Sequence, residues 1–237
     1  MIQSLYTAVS AMTAHQKNMD QLADNISNVN TTGFKGKTVG FKDALYRTME
    51  TPVQESEQNN LQQGHGVLVG DIKTAFTQGS FEQTDIKTDF ALEGEGFFAV
   101  DSNEEIFYTR DGNFNIGIID NTPYLVTKEG YYVLDQNRNR IVVYDGENIS
   151  RMPGVFNFVN PQGLSSLGSN YYETTESSGQ AQDGATSIVK QGYLESSNVS
   201  VTDQLTRMIR IQRAYQTAAR AITTADEMEG LANNIRR

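Results

Sequence analysis

Two long apolar stripes, one at each end of the chain, constrain the fold more than any other feature of the sequence. From Val199 to Ile235 apolar residues recur three and four positions apart, which is the period of one face of an α-helix. A helix over this stretch would be about 50 Å long at roughly 1.5 Å per residue. The same spacing recurs from Ile2 to Val29. The sequence therefore predicts two long amphipathic helices, and each apolar face needs a partner.

The two predicted helices can supply that partner for each other. Pairing them as an antiparallel or staggered coiled coil would return the chain to its starting point. Asn25 and Asn28 lie beside the first stripe, where buried amides would restrict register and solvent-facing amides would not. Two separate helices on the surface of one globule are the alternative interpretation.

Between Val67 and Leu194 the apolar period changes from three and four to two. Runs such as Phe97–Val100 and Ile141–Tyr144 are separated by turns that contain glycine, as expected for many short strands. This pattern predicts an all-β domain, with an irregular region from Pro153 to Gly184. Before it, Val39–Tyr46 indicates a short strand or a short amphipathic helix.

The predicted fold is mixed α and β, with a coiled-coil-like pair of terminal helices and one inserted all-β domain. The Gln- and Glu-rich stretch Glu50–Gly66 is interpreted as a flexible or extended linker, with a docking arm as a further interpretation. The predicted domains are residues 1–35, an axial helix; 36–66, the linker; 67–194, the β domain; and 195–237, a second axial helix.

Composition excludes several classes of function. The formal net charge is −10 and the pI is about 4.7, so there is no electrostatic basis for binding nucleic acid or anionic lipid. Cysteine is absent, which removes disulfides, thiolate metal sites and thiol nucleophiles. The sequence contains no run of about 18 apolar residues, and its first residues lack the features of a Sec-type signal peptide.

The sequence offers little material for catalysis. It contains 2 histidines, His15 and His65, too few for a histidine-based metal site or a Ser-His-Asp arrangement. Gly94–Phe97 begins like a nucleotide-binding loop but enters a strand, and Asp135–Asn139 begins like a calcium loop but lacks its glycine and final glutamate. We therefore expect no enzyme, no cofactor, no metal and no small-molecule substrate. An enzyme or binding protein with a helical dimerisation pair is the rival interpretation.

Five motifs occur in order along the chain, and together they resemble the rod and hook group of axial proteins of the bacterial flagellum, most closely the distal-rod type. The first motif departs from the family only at Asp24, where asparagine is common. The ending Thr224–Asn234 is similar to the proximal-rod type. The five motifs are Leu22–Lys35, Leu92–Val100, Tyr108–Phe114, Gln191–Val199 and Met208–Tyr215.

The resemblance implies a structural subunit of the flagellar basal-body rod, in the cell envelope outside the inner membrane. Its terminal helices would line a helical tube that transmits torque and encloses the export channel, with the β domain outside. It implies type III export and assembly with copies of the chain and with other rod and hook subunits. A proximal rod or hook-type axial subunit is the alternative. The rod motif would comprise Asn25, Asn28, Asn30, Thr31, Thr32, Gly33 and Phe34.

The apolar stripes predict which side chains make the assembly contacts. A charge placed in such a seam should prevent assembly, because burying an unpaired charge is costly. The expected contacts pair one residue set from the first helix with one from the second: Leu5, Val9, Met12, Met19, Leu22 and Ile26 with Leu205, Met208, Ile211, Tyr215, Ile222 and Ile235.

Overall fold

The computed structural model describes residues 2–45, 47–48, 62–102, 105–144, 148–149, 151–184 and 187–235, without the side chains of 2, 3, 47, 48, 62, 63, 148 and 235. Most of the predicted linker Glu50–Gly66 lies outside the described residues. In chain order the elements are α1 Ile2–Ser27, β1 Lys37–Asp43, β2 Arg47–Thr48, β3 Gln62–Gln63, β4 Val67–Thr74, β5 Phe81–Gln83, β6 Phe90–Glu93, β7 Phe97–Ser102, β8 Glu105–Thr109, β9 Asn115–Ile119, β10 Thr122–Val126, β11 Tyr132–Val133, β12 Val143–Tyr144, β13 Asn148–Ile149, β14 Val155–Asn157, a 3-10 turn Pro161–Gly163, β15 Ser165–Gly168, β16 Tyr171–Glu173, β17 Gln182–Asp183, β18 Ile188–Gln191, β19 Tyr193–Glu195 and α2 Val201–Ile235.

The two predicted terminal helices are confirmed. Helix α1 ends at Ser27, two residues before the predicted end, and α2 begins at Val201. Asp203 lies in the first turn of α2, where a negative charge interacts favourably with the helix dipole. The prediction succeeded because both stripes are long enough for the helical period to repeat many times.

The chain divides into two compact units. The first, called the helical unit, comprises the described residues of Met1–Ile26, Lys37–Lys73 and Val201–Arg237. The second, called the β unit, comprises Ser27–Gly36 and the described residues of Thr74–Ser200.

In the helical unit, α1 contacts both α2 and the two-stranded sheet β1–β4. The buried Asn25 side chain forms two hydrogen bonds with the backbone of Lys37, donating at 2.8 Å and accepting at 2.9 Å. The same amide lies 3.4 Å from the Gln204 side-chain oxygen of α2. Leu22, one turn earlier on α1, and Ile211, further along α2, line one cavity. The helices are therefore antiparallel here, while a continuous coiled-coil seam stays a prediction.

The interpretation of Val39–Tyr46 as a short strand is confirmed as far as Asp43, and the helical alternative is wrong. Strand β1 pairs with β4. Gly40 and Gly70 let the two backbones approach closely, since a Cβ on either glycine would lie 3.2 Å from a carbonyl oxygen of the other strand. Tyr46 lies outside the described residues.

The β unit is built around β7, whose side chains are buried on both faces of a 9-stranded sheet. Its neighbours β8, β11 and β14 are antiparallel to it. Phe98 and Val100 enter one apolar cluster, while Phe97 and Ala99 enter another on the opposite face. Because both faces are covered, this strand appears in the sequence as a continuous apolar run instead of an alternating one.

The prediction of an irregular region from Pro153 to Gly184 is wrong. Strands β14, β15, β16 and β17 lie within it, and Val155 and Phe156 of β14 pair with β7. These strands have two to four residues each. Such segments are too short to show a period of two, and their pairing depends on partners distant in sequence.

Candidate functional site

Four of the five sequence motifs meet at one buried ion cluster in the β unit, formed by Lys35, Arg110 and Glu195. The three side chains are 1%, 4% and 1% exposed, respectively. Lys35 Nζ lies 2.7 Å from one carboxylate oxygen of Glu195, and Arg110 Nε lies 2.7 Å from the other. Each oxygen of the buried carboxylate therefore has its own cationic partner.

The remaining polar groups of the cluster are satisfied by backbone. Lys35 Nζ also donates to the Thr77 carbonyl at 2.8 Å, and the Gly79 amide donates to Glu195 at 2.8 Å. The guanidinium of Arg110 donates to three carbonyls of the Leu92–Val100 motif, those of Leu92, Gly94 and Gly96. Buried charges are tolerated when they are both paired and hydrogen-bonded in this way.

Burial shifts the protonation equilibrium of the lysine. Removal from water lowers the pKa of Lys35 below its usual value, although the neighbouring Glu195 carboxylate acts in the opposite direction. Arg110 adds a smaller repulsion that also lowers this pKa. The cluster is thus held together by geometry that compensates a large desolvation cost.

Glycines in two of the motifs make the cluster possible. Gly33 has φ +66° and its amide donates to the Glu195 carbonyl at 2.7 Å. A Cβ on Gly33 would lie 2.6 Å from the backbone of Arg110, so a larger residue fits only if one of the two backbone segments moves. Gly94 and Gly96 have φ +108° and +131°, which directs their carbonyls at the guanidinium.

Asn198 joins three segments of the β unit beside the cluster. Its side-chain nitrogen donates to the carbonyls of Ala75 at 2.7 Å and Thr77 at 3.0 Å. Its side-chain oxygen accepts from the Gly36 amide at 2.8 Å. The Asn198 side-chain amide therefore holds three segments together: the one before Lys37, the one after Lys73 and the one before Val201.

The predicted rod-motif residues have different roles in the structure. Asn25 belongs to the helical unit, and the other six belong to the β unit. Asn28 accepts from the Thr31 hydroxyl at 3.1 Å, and Thr32 donates to Asp111 at 2.6 Å. Gly33 and Phe34 are buried, whereas Asn30 is exposed. The motif is thus mainly a structural connection to the β unit.

The predicted assembly residues are distributed along both helices and do not form one closed core. Val9 and Leu205 are 44% and 46% exposed, and Leu22 is buried. The side chain of Ile235 lies outside the described residues. Contacts between copies stay a prediction for the whole set, whose other members are half-buried: Leu5, Met12, Met19, Ile26, Met208, Ile211, Tyr215 and Ile222.

The ion-cluster residues and Asn198 were not singled out from the sequence, although each lies in or directly beside a quoted motif. The available signal was a charged residue inside a stretch otherwise rich in apolar residues and glycine. Lys35 and Glu195 are 160 positions apart, so their pairing could not be derived from spacing.

The structure gives the acidic loop at Asp135 a structural role. One carboxylate oxygen accepts from the amides of Asn137 and Asn139 at 2.8 Å each, and the other lies 2.6 Å from Arg151. Burial tends to raise the pKa of Asp135, but the Arg151 hydrogen bond and these amides outweigh it, so its pKa is below the usual value. Among the described residues, no group of three or more His, Asp or Glu side chains could hold a metal ion.

The described part of the chain also contains no helix both long and apolar enough to span a membrane.

Comparisons with known proteins match three separate parts of the chain to flagellar families. Residues 5–35 match the flagella basal body rod protein family. Residues 91–163 match the D1 domain of the flagellar hook protein FlgE/F/G family, and residues 190–235 match the C-terminal part of the flagellar basal body rod FlgEFG proteins.

Individual relatives match over nearly their whole length. The flagellar basal-body rod protein FlgG of Borreliella burgdorferi is 38% identical, with 100% of both chains covered. FlgG of Bacillus subtilis is 35% identical over 96% of this chain and 97% of its own. The flagellar hook-basal body complex protein FlhP of Bacillus subtilis is 30% identical with 100% of both chains covered. By these matches the chain belongs to the family of flagellar basal-body rod proteins that includes FlgG.

Proposed function

We propose that this chain is a structural subunit of the flagellar basal-body rod, of the distal-rod type, that polymerises with its own copies into a helical tube. The observation that carries this proposal is the similarity to FlgG proteins across nearly the full length of both chains. The tube transmits torque and encloses the channel through which flagellar subunits are exported. The family is structural, and the ion cluster accordingly serves folding, not catalysis.

The distal-rod assignment is favoured over the proximal-rod and hook-type alternatives by the same matches. FlgG relatives of 35% and 38% identity cover nearly the whole chain, whereas FlhP, described as a flagellar hook-basal body complex protein, is 30% identical. A non-flagellar binding protein with a helical dimerisation pair has no corresponding support.

The helical unit has surfaces suited to association with copies. Leu205 and Ile209 of α2 are 46% and 51% exposed, and Leu231 is 63% exposed. Burying such side chains against a neighbour removes apolar area from water, at a gain of about 25 cal/mol per Å². A subunit that polymerises through its helices would cover these positions.

Charge is divided unequally between the two units. By sequence the ranges of the β unit contain 8 basic and 18 acidic residues, a formal charge of −10, and those of the helical unit contain 11 of each. Copies of a neutral helical unit can associate without net repulsion, while the acidic β unit favours solubility before assembly.

The partners expected on this proposal are copies of the chain, the neighbouring rod and hook subunits, and the flagellar export apparatus. The expected location is the flagellar basal body, outside the inner membrane. These assignments rest on family membership together with the open helix surfaces.

Electron microscopy of basal bodies isolated from cells that produce a tagged version of the chain tests the proposal. We expect label along the distal rod, and we expect cells lacking the chain to form rods that end before this segment. Label confined to the hook or the proximal rod, or complete rods without the chain, would refute the distal-rod assignment.

A further inference from the structure

The helical unit carries a basic site where α1, α2 and β1 meet. Lys37, Arg207 and Arg210 line one cavity of about 230 Å³, together with the apolar side chains of Leu22 and Ile211. Both arginines are exposed, and they lie three positions apart on one side of α2. Within the described residues no carboxylate oxygen lies within 4 Å of these three cations. Like charges around one cavity repel each other, so the site favours an anionic group that binds among them.

An acidic site lies on another side of α1. Asp20 and Asp24, four positions apart, line a second cavity together with Val69 and Ile72 of β4. Each carboxylate accepts a hydrogen bond from a neutral glutamine side chain of the same helix, which does not neutralise it. Lys17 lines the same cavity, so two carboxylates and one lysine stand against three cations at the basic site. Ile72 is 57% exposed, which adds an apolar surface beside the carboxylates.

The two sites face away from each other on α1. Asn18 and Leu22 are the residues of α1 that line the basic cavity. At about 100° per residue, Asp20 and Asp24 point about 160° around the helix axis from these two residues. One chain therefore cannot bring its own two sites together, and a neighbouring copy that covers one site leaves the other open.

The two sites nevertheless lie at the same level along the pair of helices. The contact between Asn25 and Gln204 sets the antiparallel register of α1 and α2. Following both helices from this contact at equal rise per residue places Asp20 and Asp24 level with about residues 205–209 of α2. The two arginines of the basic site lie within about 3 Å of these levels, at 1.5 Å per residue. Two copies that stand side by side and point the same way therefore bring the acidic site of one level with the basic site of the other.

We propose that the acidic site on α1 docks on the basic site of a second copy of this chain, with Asp20 against Arg210 and Asp24 against Arg207. The inference rests on the proposed function, because it specifies how copies meet within the rod. The contact joins two different surfaces, so it is heterologous and leaves one free site at each end of a pair of copies. Repetition of such a contact generates an open helical array, not a closed dimer.

Two other arrangements of the same charges are outcomes of the test. A second copy that points the opposite way would pair Asp20 with Arg207 and Asp24 with Arg210, and successive copies would then alternate in direction. A helical tube of equivalent subunits has one direction for all copies, which favours the side-by-side arrangement. The carboxylates of residues 226–229 lie about 25–30 Å further along α2, so docking them on the basic site requires a large shift between copies.

Charge exchange within one chain tests which residues meet. Asp20→Arg and Arg210→Asp each place like charges at the contact, so each chain should form roughly tenfold fewer complete rods than the natural chain. A chain with both exchanges restores an opposite pair between copies and should form rods again. Arg213→Asp, at an exposed position three residues further along α2, is the matched control and should assemble normally. Circular dichroism of each purified chain verifies that the helices form.

The residue that rescues Asp20→Arg distinguishes the arrangements. Combining Asp20→Arg with Arg207→Asp should not restore rods. Rescue by Arg207→Asp instead of Arg210→Asp would show that neighbouring copies point in opposite directions, and it would overturn the proposal. Failure of both double exchanges, complete rods from either single exchange, or equal loss with Arg213→Asp would also contradict the contact.

Cysteine cross-linking of isolated basal bodies gives a second readout, because the natural chain contains no cysteine. Asp20→Cys and Arg210→Cys are introduced together into the full chain, so that Asp24 and Arg207 remain to hold the contact. A disulfide requires Cα atoms within roughly 7 Å of each other. Oxidation should therefore link copies into a ladder of dimers, trimers and larger species on non-reducing gels, and each cysteine alone should give no ladder. Monomers only, or equal cross-linking by the single-cysteine chains, would overturn the contact.

Failure of this contact differs visibly from failure of the proposed function. If the tagged natural chain is absent from basal bodies, the proposed function fails. If it is present there and the two cysteines do not cross-link, only the contact between the acidic and basic sites fails.

Discussion

Glu195 is the residue on which the buried ion cluster depends, since it is the carboxylate that lies against both Lys35 and Arg110. Glu195→Gln would leave two buried cations without a counter-charge. We expect it to lower the free energy of unfolding of the β unit by about 3–5 kcal/mol. Urea unfolding followed by circular dichroism measures this change.

The surface pair formed by Glu93 and Lys190 supplies the matched control. Its side chains are 45% and 38% exposed, so Glu93→Gln should change the free energy of unfolding by no more than about 1 kcal/mol. Equal effects of the two substitutions would show that the buried cluster is not a special source of stability.

Asp135 should make stability depend on pH in the acid range. Its folded-state pKa lies below the reference value of 3.8, so the ionised carboxylate stabilises the fold above that value. This contribution is lost as pH falls through the folded-state pKa. In urea unfolding, the stability difference between the natural chain and Asp135→Asn should be constant from pH 7 to about 5 and shrink at lower pH. A difference that grows on acidification would contradict the assigned role.

At the scale of elements, the Gly33 turn after α1 is sensitive to substitution. Gly33→Ala adds a Cβ 2.6 Å from the Arg110 backbone at φ +66°. Gly130 also has a positive φ, but nothing lies within 4 Å of its added Cβ. Gly130→Ala should therefore cost about 1 kcal/mol for backbone strain alone, and Gly33→Ala roughly 1–3 kcal/mol more. Thermal unfolding compares the two, and equal costs would contradict the close approach.

The elements differ in how far they could be predicted, for physical reasons. Helices α1 and α2 repeat their period over 26 and 35 residues, so local sequence identifies them. Strands such as β14 and β17 are two or three residues long and form because partners elsewhere in the chain accept their hydrogen bonds. For the same reason the ion cluster could not be predicted from local sequence, since its members come from segments that are distant in the chain. The motifs indicated where important residues lie, but not which atoms they bring together.

At the scale of the whole molecule, folding and assembly depend on different residues. The ion cluster and Asn198 stabilise the β unit internally, while exposed positions on α2 remain available to other copies. A substitution on the stripe should therefore prevent assembly without unfolding the β unit. The half-buried Ile222 is the position at which to test this separation, because a charge there would enter the predicted seam.

The most direct measurement is the length of the rod in basal bodies from cells that produce Ile222→Asp, with Ile118→Asp at an exposed site of the β unit as the control. We expect rods that end before the distal segment for Ile222→Asp and complete rods for the control. Circular dichroism of the purified Ile222→Asp chain should show the β unit folded. Complete rods containing the Ile222→Asp chain would contradict assembly through the terminal helices.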